Sequence, residues 1–254
     1  DNVIPFGVDT DISPYDSGSY ASATTYITGK AVAKAAENLK EKVIKMGASM
    51  LEVEPDEVTF NGKCVEKKDQ SAKVTLPEIG VRGTFGNNDA LQVTENCGAE
   101  ISPPPYMVGI AEVEIDKETG SVELIDYVAV VDCGTPINPN LARVQTEGGI
   151  AQGIGMALFE DIQYTEKGAM ANNSLMQYKI PSRLDVGKIR VEFKPSYEKS
   201  HPFGAKSIGE IVIDTPCPAI ANAVYNAVGL HVEEMPIKPE KIAMALSDDC
   251  KMYE

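Results

Sequence analysis

The segment HPFGAKSIGEIVID, residues 201–214, sets one carboxylate between a glycine and an apolar run. Glu210 follows Gly209, which gives the backbone freedom to direct the side chain, and it precedes Ile211. A helix is predicted next in the chain, so one interpretation is structural, because a carboxylate near a helix N-terminus stabilises the helix dipole. The other interpretation is that the carboxylate takes part in a reaction. The rest of the sequence is needed to choose between the two interpretations.

Length, composition and charge restrict the class of protein. The 254 residues suffice for one large or two ordinary domains, and an apolar content of 43% supports a buried core. The net charge of −15, from 38 acidic and 23 basic residues, argues against binding to nucleic acid or to an anionic membrane surface. No apolar run approaches the roughly 20 residues of a membrane-spanning helix, and no signal peptide is recognisable. We expect a cytoplasmic protein and, because the chain begins with Asp1 rather than Met, a piece of a larger polypeptide.

The cysteines and histidines are too dispersed to predict a metal site built from side chains. A zinc site needs clustered Cys and His ligands, whereas the only histidines are His201 and His231. The cysteine spacing also fits no iron–sulfur motif. We expect free, buried thiols in a reducing compartment, and His201 in a loop at the mouth of any site. The five cysteines are Cys64, Cys97, Cys133, Cys217 and Cys250.

Hydrophobic periodicity predicts helices and strands without a regular βαβ pattern. A first helix is predicted over 28–46, with Thr28 as N-cap and Gly47 just past its end. Asn61-Gly62 predicts a hairpin turn in which both residues have positive φ. Four glycines in a helix predicted over 140–159 indicate that something approaches that helix closely. The other predicted elements are strands 107–116 and 121–132, strands within 174–181 and 188–195, and helices within 216–229 and 238–246.

These elements predict an α+β fold, in which mixed sheets and helices form two lobes. We expect the boundary between the lobes near residue 105. The first lobe, 1–105, is predicted to contain a loop over 17–24, the helix 28–46 and the hairpins; the second lobe, 106–254, is predicted to contain the hairpin 107–132, the glycine-rich helix 140–159 and the segment 203–210.

Three segments rich in glycine and small residues are candidates for ligand binding. They are SGSYAS at 17–22, the stretch 132–153 and FGAKSIGE at 203–210. Small residues let backbone N–H groups approach a ligand closely, and helix N-termini favour anions. Gln145 adds an amide that donates and accepts hydrogen bonds. Each segment alone is explained by a tight turn or a close helix contact, but together they favour a site for an anionic, planar cofactor.

The same segments carry a resemblance to a known family. The chain resembles the C-terminal part of the molybdopterin-binding subunit of the molybdenum hydroxylases, the xanthine dehydrogenase and aldehyde oxidoreductase family. The similar segments follow the family's order and span nearly the whole chain. They are SGSYASATTYITGKAV, VGIAEVEID with the TG that follows it, VVDCGTPINP, QTEGGIAQGIGMALFE, MQYKIPS, FGAKSIGE and PAIANAVYNAVG.

The resemblance implies which residues form the site. Glu210 matches the family's active-site glutamate, the general base, and Gln145 matches the glutamine that contacts the pterin. Ala21 is implied to lie next to molybdenum, with no side chain as a metal ligand. Lys206 has two possible roles, a contact with the cofactor or an ion pair with a carboxylate. The residues implied to bind the cofactor are Gly18, Ser19, Tyr20, Ala21, Ser22, Thr24, Gln145 and Lys206.

A reaction, cofactors and partners are implied as well. Members of this family oxidise an electron-poor sp² carbon of a purine, a nicotinate-like heterocycle or an aldehyde, with water as the oxygen source. The implied cofactors are molybdenum and molybdopterin, in its cytosine dinucleotide form, with FAD and 2Fe–2S clusters on partner subunits or domains. The missing N-terminal half of the subunit would complete the site, so the isolated chain is expected to be inactive. Ile211 stands where many members have proline after the glutamate, which marks a subgroup.

Two other functions are compatible with the same residues. A non-catalytic assembly subunit would keep the fold and lose the chemistry, and the retention of Glu210 and Gln145 argues against it. A small-molecule-binding domain would use the glycine turns without any redox role.

Overall fold

The computed structural model describes residues 3–4, 9–11, 13, 15–16, 18–86, 90–98, 101–201 and 203–247. These residues belong to two compact units. One is formed by 25–101, and the other by the described parts of 1–24 and 102–254. The loop predicted over 17–24 therefore groups with the second half of the chain and not with the helix that follows it. Its first residue, Ser17, lies outside the described residues, as does Cys250.

The unit 25–101 is a three-stranded antiparallel sheet with two helices. The strands follow one another in the order β1-β2-β3, with Val58 opposite Lys67 and Cys64 opposite Thr75. A small core contains the fully buried Val65 and Ile79. The elements are α1 (Thr24–Met50), β1 (Val58–Phe60), β2 (Cys64–Lys67), β3 (Lys73–Thr75) and α2 (Leu76–Phe85).

Helix α1 extends beyond the predicted helix at both ends. Thr28 lies inside the helix and does not cap it, and the helix continues past Gly47 to Met50. Gly47 is buried, and a Cβ at this position would lie 2.6 Å from the Cβ of Val65. The prediction that Gly47 ends the helix is wrong, because this glycine is required for close packing of the helix against β2.

The hairpin between β1 and β2 forms where it was predicted, with a different turn. Only Gly62 has a positive φ, of 86°, and the loop has three residues, Asn61 to Lys63. The Asn61 side-chain oxygen accepts hydrogen bonds from the backbone N–H groups of Lys63 and Cys64, both at 3.0 Å. This side chain closes the turn, so Asn61 does not need the positive φ that was predicted for it.

The second unit contains a mixed sheet in the order β4-β5-β6. The first two strands are antiparallel, with Val108 opposite Val130, and the last two are parallel, with Asp126 opposite Lys188. The helix α3 lies between the two parallel strands in the chain. The elements are β4 (Tyr106–Ile115), β5 (Val122–Asp132), α3 (Pro139–Leu158), β6 (Lys188–Phe193), α4 (Ile211–Asp214), α5 (Pro216–Val228) and α6 (Pro239–Leu246).

Local sequence explains most of this unit. The residues of β4 alternate between exposed and partly buried, as expected for a strand with one face on a core. Helix α3 begins where Asn138 accepts a hydrogen bond from the N–H of Leu141 at 3.1 Å, and Pro139 occupies the first turn. The predicted hairpin, the glycine-rich helix, the strand within 188–195 and the last two helices are confirmed.

The strand predicted within 174–181 is wrong. Residues 174–178 form a turn in which the N–H groups of Gln177 and Tyr178 donate to the carbonyl oxygen of Ser174. The Tyr178 hydroxyl donates to the Glu160 carboxylate near the end of α3. This tertiary contact, and not a sheet neighbour, holds the segment.

The cysteines of the described residues are unpaired thiols. Cys64 and Cys133 are buried, whereas Cys97 and Cys217 are partly exposed. Burial raises the pKa of the Cys133 thiol, which makes this thiol a weak nucleophile. Across the described residues, none of the helices combines the length and the apolarity that crossing a bilayer requires.

Candidate functional site

Glu210 lies directly before the short helix α4 but does not cap it. Its side chain makes no capping hydrogen bond to that helix. Instead, its Oε2 accepts a hydrogen bond from the Ser22 hydroxyl, at 3.1 Å, across 188 residues of sequence. The side chain is exposed. The side chain thus makes no capping contact with α4, although Glu210 occupies the N-cap position of that helix, and the carboxylate faces the loop 18–22.

The loop 18–22 holds two non-glycine residues in the left-handed region. Ala21 has φ 50° and Ser22 has φ 53°, and Gly18 has φ 106°. Each non-glycine residue in this region costs roughly 1–2 kcal/mol, and such residues cluster at functional sites. The Gly18 N–H donates to the Asp16 carboxylate at 2.7 Å. This backbone turns the Ser22 hydroxyl toward Glu210.

The remaining residues of this loop are open to solvent. Ser19 and Ala21 are exposed, and Tyr20 is 75% exposed. Thr24 is exposed as well, at the first position of α1. The residues predicted to bind a cofactor in this segment are thus accessible, and Ser22 joins the segment to Glu210.

Gln145 lies on α3, and its side chain extends to Gly209, the residue before Glu210. The side-chain nitrogen Nε2 of Gln145 is 3.9 Å from the position that a Cβ on Gly209 would occupy. The same Cβ would lie only 2.7 Å from the Ser22 Oγ. A side chain at 209 would displace the Ser22 hydroxyl, so glycine at this position leaves room for the hydrogen bond between Ser22 and Glu210. The three side chains predicted as site residues, Ser22, Gln145 and Glu210, are thereby brought together.

The glycines of α3 divide into packed and open positions. A Cβ on Gly149 would lie 2.3 Å from Cγ2 of Val212, and one on Gly153 would lie 2.7 Å from Cγ of Pro216. The close approach predicted from these glycines is therefore made by the segment just after Glu210. Gly148 differs, because a Cβ there would meet no described atom within 4 Å. Gly148 is exposed, one turn along the helix from Gln145.

Lys206 forms an ion pair with Asp132 at the end of β5. Its Nζ is 2.8 Å from Oδ2 of Asp132, and it lies 5.4 Å from the centre of the Tyr106 ring. The Asp132 carboxylate also accepts hydrogen bonds from the Gly134 N–H, at 2.9 Å, and from the Ser196 hydroxyl, at 2.8 Å. Of the two roles considered for Lys206, the structure gives it the carboxylate partner.

These contacts set the protonation of the Asp132 carboxyl. Burial by itself raises the pKa of Asp132, because it disfavours the charged form. The hydrogen bonds from Lys206, Gly134 and Ser196 outweigh burial and hold the pKa of this carboxyl below its usual range. Asp132 is therefore ionised at neutral pH.

His201 is buried, and not exposed at the mouth of a site as expected. It is 2% exposed, and its Nδ1 accepts hydrogen bonds from the N–H groups of Phe203, at 3.1 Å, and Ala205, at 3.4 Å. These two hydrogen bonds join the ring to the backbone of the turn that follows it. The imidazole shapes the turn that leads into the segment bearing Glu210. Histidine is rare in this chain, and His201 lies next to FGAKSIGE. These two features could have indicated that it shapes the turn before Glu210.

The charged groups around Glu210 do not form a metal site of their own. Within the described ranges, no group of three or more His, Cys, Asp or Glu side chains could hold a metal ion. The Ser22 hydroxyl donates to Glu210, and the Gln145 amide lies beside the neighbouring Gly209. Such groups donate hydrogen bonds to the oxygen, nitrogen and sulfur atoms of an organic cofactor.

Comparison with known proteins identifies the family. The model of the molybdopterin cofactor-binding domain matches residues 1–187. The chain is 37% identical over 242 residues to a probable hypoxanthine oxidase of Escherichia coli K12, covering 94% of this chain and 25% of that protein. It is 33% identical over 244 residues to the gamma subunit of the 6-hydroxypseudooxynicotine dehydrogenase complex of Paenarthrobacter nicotinovorans, covering 92% and 31%. The chain belongs to the molybdopterin cofactor-binding domain family of the molybdenum hydroxylases.

Solved structures of similar proteins share the fold. The Cu,Mo-CO dehydrogenase matches with a TM-score of 0.79 and 26% identity over 96% of this chain and 32% of its own chain. Quinoline 2-oxidoreductase from Pseudomonas putida 86 matches with a TM-score of 0.76 and 28% identity over 94% and 32%. The predicted α+β fold class is confirmed. The chain spans between a quarter and a third of the length of these relatives.

Proposed function

We propose that this chain is the cofactor-binding part of a molybdenum hydroxylase of the xanthine dehydrogenase type. The enzyme would oxidise an electron-poor sp² carbon of a purine or a nicotinate-like heterocycle, or an aldehyde, with water as the oxygen source. The observation that carries the proposal is the 3.1 Å hydrogen bond from Ser22 to Glu210, formed beside Gln145. Two of the relatives described above, a probable hypoxanthine oxidase and a quinoline 2-oxidoreductase, have names that refer to heterocyclic compounds, which supports the heterocycle as a substrate class.

The chemistry of the donor set fits a molybdopterin cofactor. Gly18, Ser19, Tyr20 and Ala21 present an accessible turn with unusual backbone angles, and Gln145 presents an amide from α3. Ser22 adds a hydroxyl group from the same loop, and Thr24 adds one from the first position of α1. We propose that these residues hold the pterin, in its cytosine dinucleotide form, and that Ala21 lies next to the metal. When bound, molybdenum and its ligands supply the redox chemistry of the reaction.

The open position of Gly148 supports the proposal that a group outside the described residues approaches helix α3 at this point. A glycine inside a helix costs about 1 kcal/mol relative to alanine, and no contact among the described residues requires it here. We propose that the space beside Gly148 is used by the cofactor or by the polypeptide that completes the site. This position was not among the residues predicted from the sequence.

Glu210 is proposed as the general base. The Ser22 hydroxyl donates to Oε2 of Glu210 and leaves the other carboxylate oxygen to accept a proton. A positioned base contributes about 10²–10⁴-fold to a rate. The hydrogen bond fixes the direction of the carboxylate, so the proton acceptor is in place when substrate binds.

We propose that the active enzyme contains additional polypeptide, because the relatives are three to four times as long as this chain. We propose that the N-terminal half of the molybdopterin-binding subunit completes the site, and that FAD and 2Fe–2S subunits or domains accept the electrons. On this proposal the isolated chain has no turnover. Activity of the purified chain with a dye acceptor and a heterocyclic substrate would contradict it.

The decisive experiment changes Glu210 to Gln in the complete enzyme. We expect turnover to fall by about 10²–10⁴-fold, while the molybdenum content per chain, measured by elemental analysis, stays unchanged. Glu123→Gln is the matched control, because Glu123 is an exposed residue of β5 and its substitution should leave turnover unchanged. A loss of only twofold in Glu210→Gln would remove the base role and favour a non-catalytic assembly subunit. A complete protein without molybdenum or pterin would favour a small-molecule-binding domain instead.

A further inference from the structure

We infer that Asp132 and Lys206 form a positioning pair that fixes the segment bearing Glu210 to the end of β5. This inference rests on the proposed function of Glu210. Asp132 is the last residue of β5, and Lys206 lies four residues before Glu210. The two charged groups meet at 2.8 Å across 74 residues of sequence.

The pair differs from the other ion pairs of the described residues in the burial of its cation. The side chain of Lys206 is 10% exposed and that of Asp132 is 21% exposed. In the pair between Arg190 and Asp126, also on β5, the arginine side chain is 52% exposed. Exposed ion pairs contribute little, because water and salt screen them. A desolvated ammonium needs its partner, because an unpaired charge in such a place is unfavourable.

Lys206 is held at the end of β5 by its backbone as well. Its N–H donates to the carbonyl oxygen of Cys133 at 2.8 Å, next to Asp132. The Thr135 N–H donates to the carbonyl oxygen of Gly204 at 2.7 Å, and Gly134 and Ala205 form a β-bridge. The segment is therefore attached to the end of β5 through its backbone hydrogen bonds and through the side chain of Lys206.

This attachment ends shortly before the reactive carboxylate. Four residues of chain span at most about 14 Å, so a displacement of Lys206 is transmitted to Glu210 over a short distance. Glu210 has to stay within hydrogen-bond reach of the Ser22 hydroxyl. A misplacement of about 1 Å can reduce a rate about 10²-fold. The pair thus acts on the reaction through the position of Glu210 and not by touching the substrate.

The test uses the complete enzyme with Lys206→Met and Asp132→Asn. We expect the kcat per molybdenum atom to fall at least about tenfold, with KM changed less than about threefold, because the base is displaced while substrate binding is kept. Lys206→Arg keeps the positive charge and should recover most of the kcat. Asp126→Asn, which removes the pair with the more exposed Arg190 on the same strand, is the control and should keep the wild-type kcat.

Hydrogen exchange supplies a readout that is independent of turnover. In both variants the amides of Thr135 and Lys206, whose hydrogen bonds attach the segment to the end of β5, should exchange at least about tenfold faster than in the wild type, while those of α5 stay unchanged. A merely stabilising pair would leave the kcat per molybdenum atom unchanged, and this result would overturn the inference. Asp132→Asn keeps an oxygen acceptor for Gly134 and Ser196, so it serves if Lys206→Met does not fold.

The two proposals fail in different ways. If Glu210→Gln keeps full turnover, the base role is lost, while faster exchange of the Thr135 and Lys206 amides in Lys206→Met would still support the attachment of the segment. If Glu210→Gln abolishes turnover and neither Lys206→Met nor Asp132→Asn changes the kcat or the exchange, the base role stands and the positioning role is overturned.

Discussion

Two neighbouring glycines of α3 give a sharp test of the packing around the site. Gly148 and Gly149 are consecutive in one helix, yet a Cβ on Gly148 meets no described atom within 4 Å, and one on Gly149 meets Val212. The same substitution, glycine to alanine, is therefore expected to change stability in opposite directions at these two positions.

The contacts of each glycine determine the size of the expected change in the free energy of unfolding. Gly148→Ala gains helix propensity of about 1 kcal/mol without any clash. In Gly149→Ala the new Cβ would lie 2.3 Å from Cγ2 of Val212, whereas carbon atoms in contact stay about 3.5–4.0 Å apart. Val212 is fully buried and β-branched, so it moves with difficulty. Overpacking costs about 1–3 kcal/mol, which outweighs or cancels the gain in propensity and leaves a net loss of up to about 2 kcal/mol.

Urea unfolding followed by circular dichroism measures the difference between the two variants. We expect the free energy of unfolding to be about 1–3 kcal/mol higher in Gly148→Ala than in Gly149→Ala, and hydrogen exchange of the α3 amides should locate the change. If Gly148→Ala is as unstable as Gly149→Ala, the outer side of α3 is not open and the reasoning is refuted. In the complete enzyme, Gly148→Ala should lower the molybdenum content in spite of the higher stability.

Three further predictions concern the loop and the segment that meet at Glu210. Ala21→Gly should raise the free energy of unfolding by about 1 kcal/mol, because it relieves a φ of 50°; a decrease in a urea titration would contradict the assigned strain. Gly209→Ala should leave thermal unfolding nearly unchanged but lower the turnover of the complete enzyme at least about tenfold, because its Cβ would force Ser22 away from Glu210; unchanged turnover would contradict the packing. The pKa of Asp132 is depressed in the folded state, so its contribution to stability is present above the unfolded value of about 3.9 and is lost as pH falls through the folded pKa. The stability difference between the wild type and Asp132→Asn should therefore shrink between pH 6 and pH 3 in urea titrations, and a constant difference would exclude the charge as its source.

The secondary structure was predictable wherever local periodicity determines it. Helix α3 and the hairpin of β4 and β5 agree with the prediction within about two residues, because their patterns repeat over many positions. Gly47 was misread because a glycine that allows close packing and a glycine that ends a helix look alike in the sequence. The turn at 174–178 was misread because its apolar residues are exposed, with Leu175 76% and Met176 85% exposed.

The sequence predicted which segments form the candidate site, but it did not predict the contacts between them. Motif order indicated that the loop 17–24, Gln145 and Glu210 belong together. It did not indicate that Ser22 would donate to Glu210 or that Gly209 leaves room for this hydrogen bond. His201 was placed at the surface because a lone histidine gives no indication of burial.

The amino-acid sequence by itself determined the family and most of the longer helices and strands, and it indicated Glu210 as the candidate carboxylate. These depend on residue types and on spacings within one element, which can be read along the chain. Only the tertiary structure decided that the carboxylate faces a hydroxyl 188 residues away, that Lys206 is paired with Asp132, and which glycines of α3 are packed. The reason is that such contacts depend on how separate elements pack against one another, and packing is set by the shapes of many side chains at once.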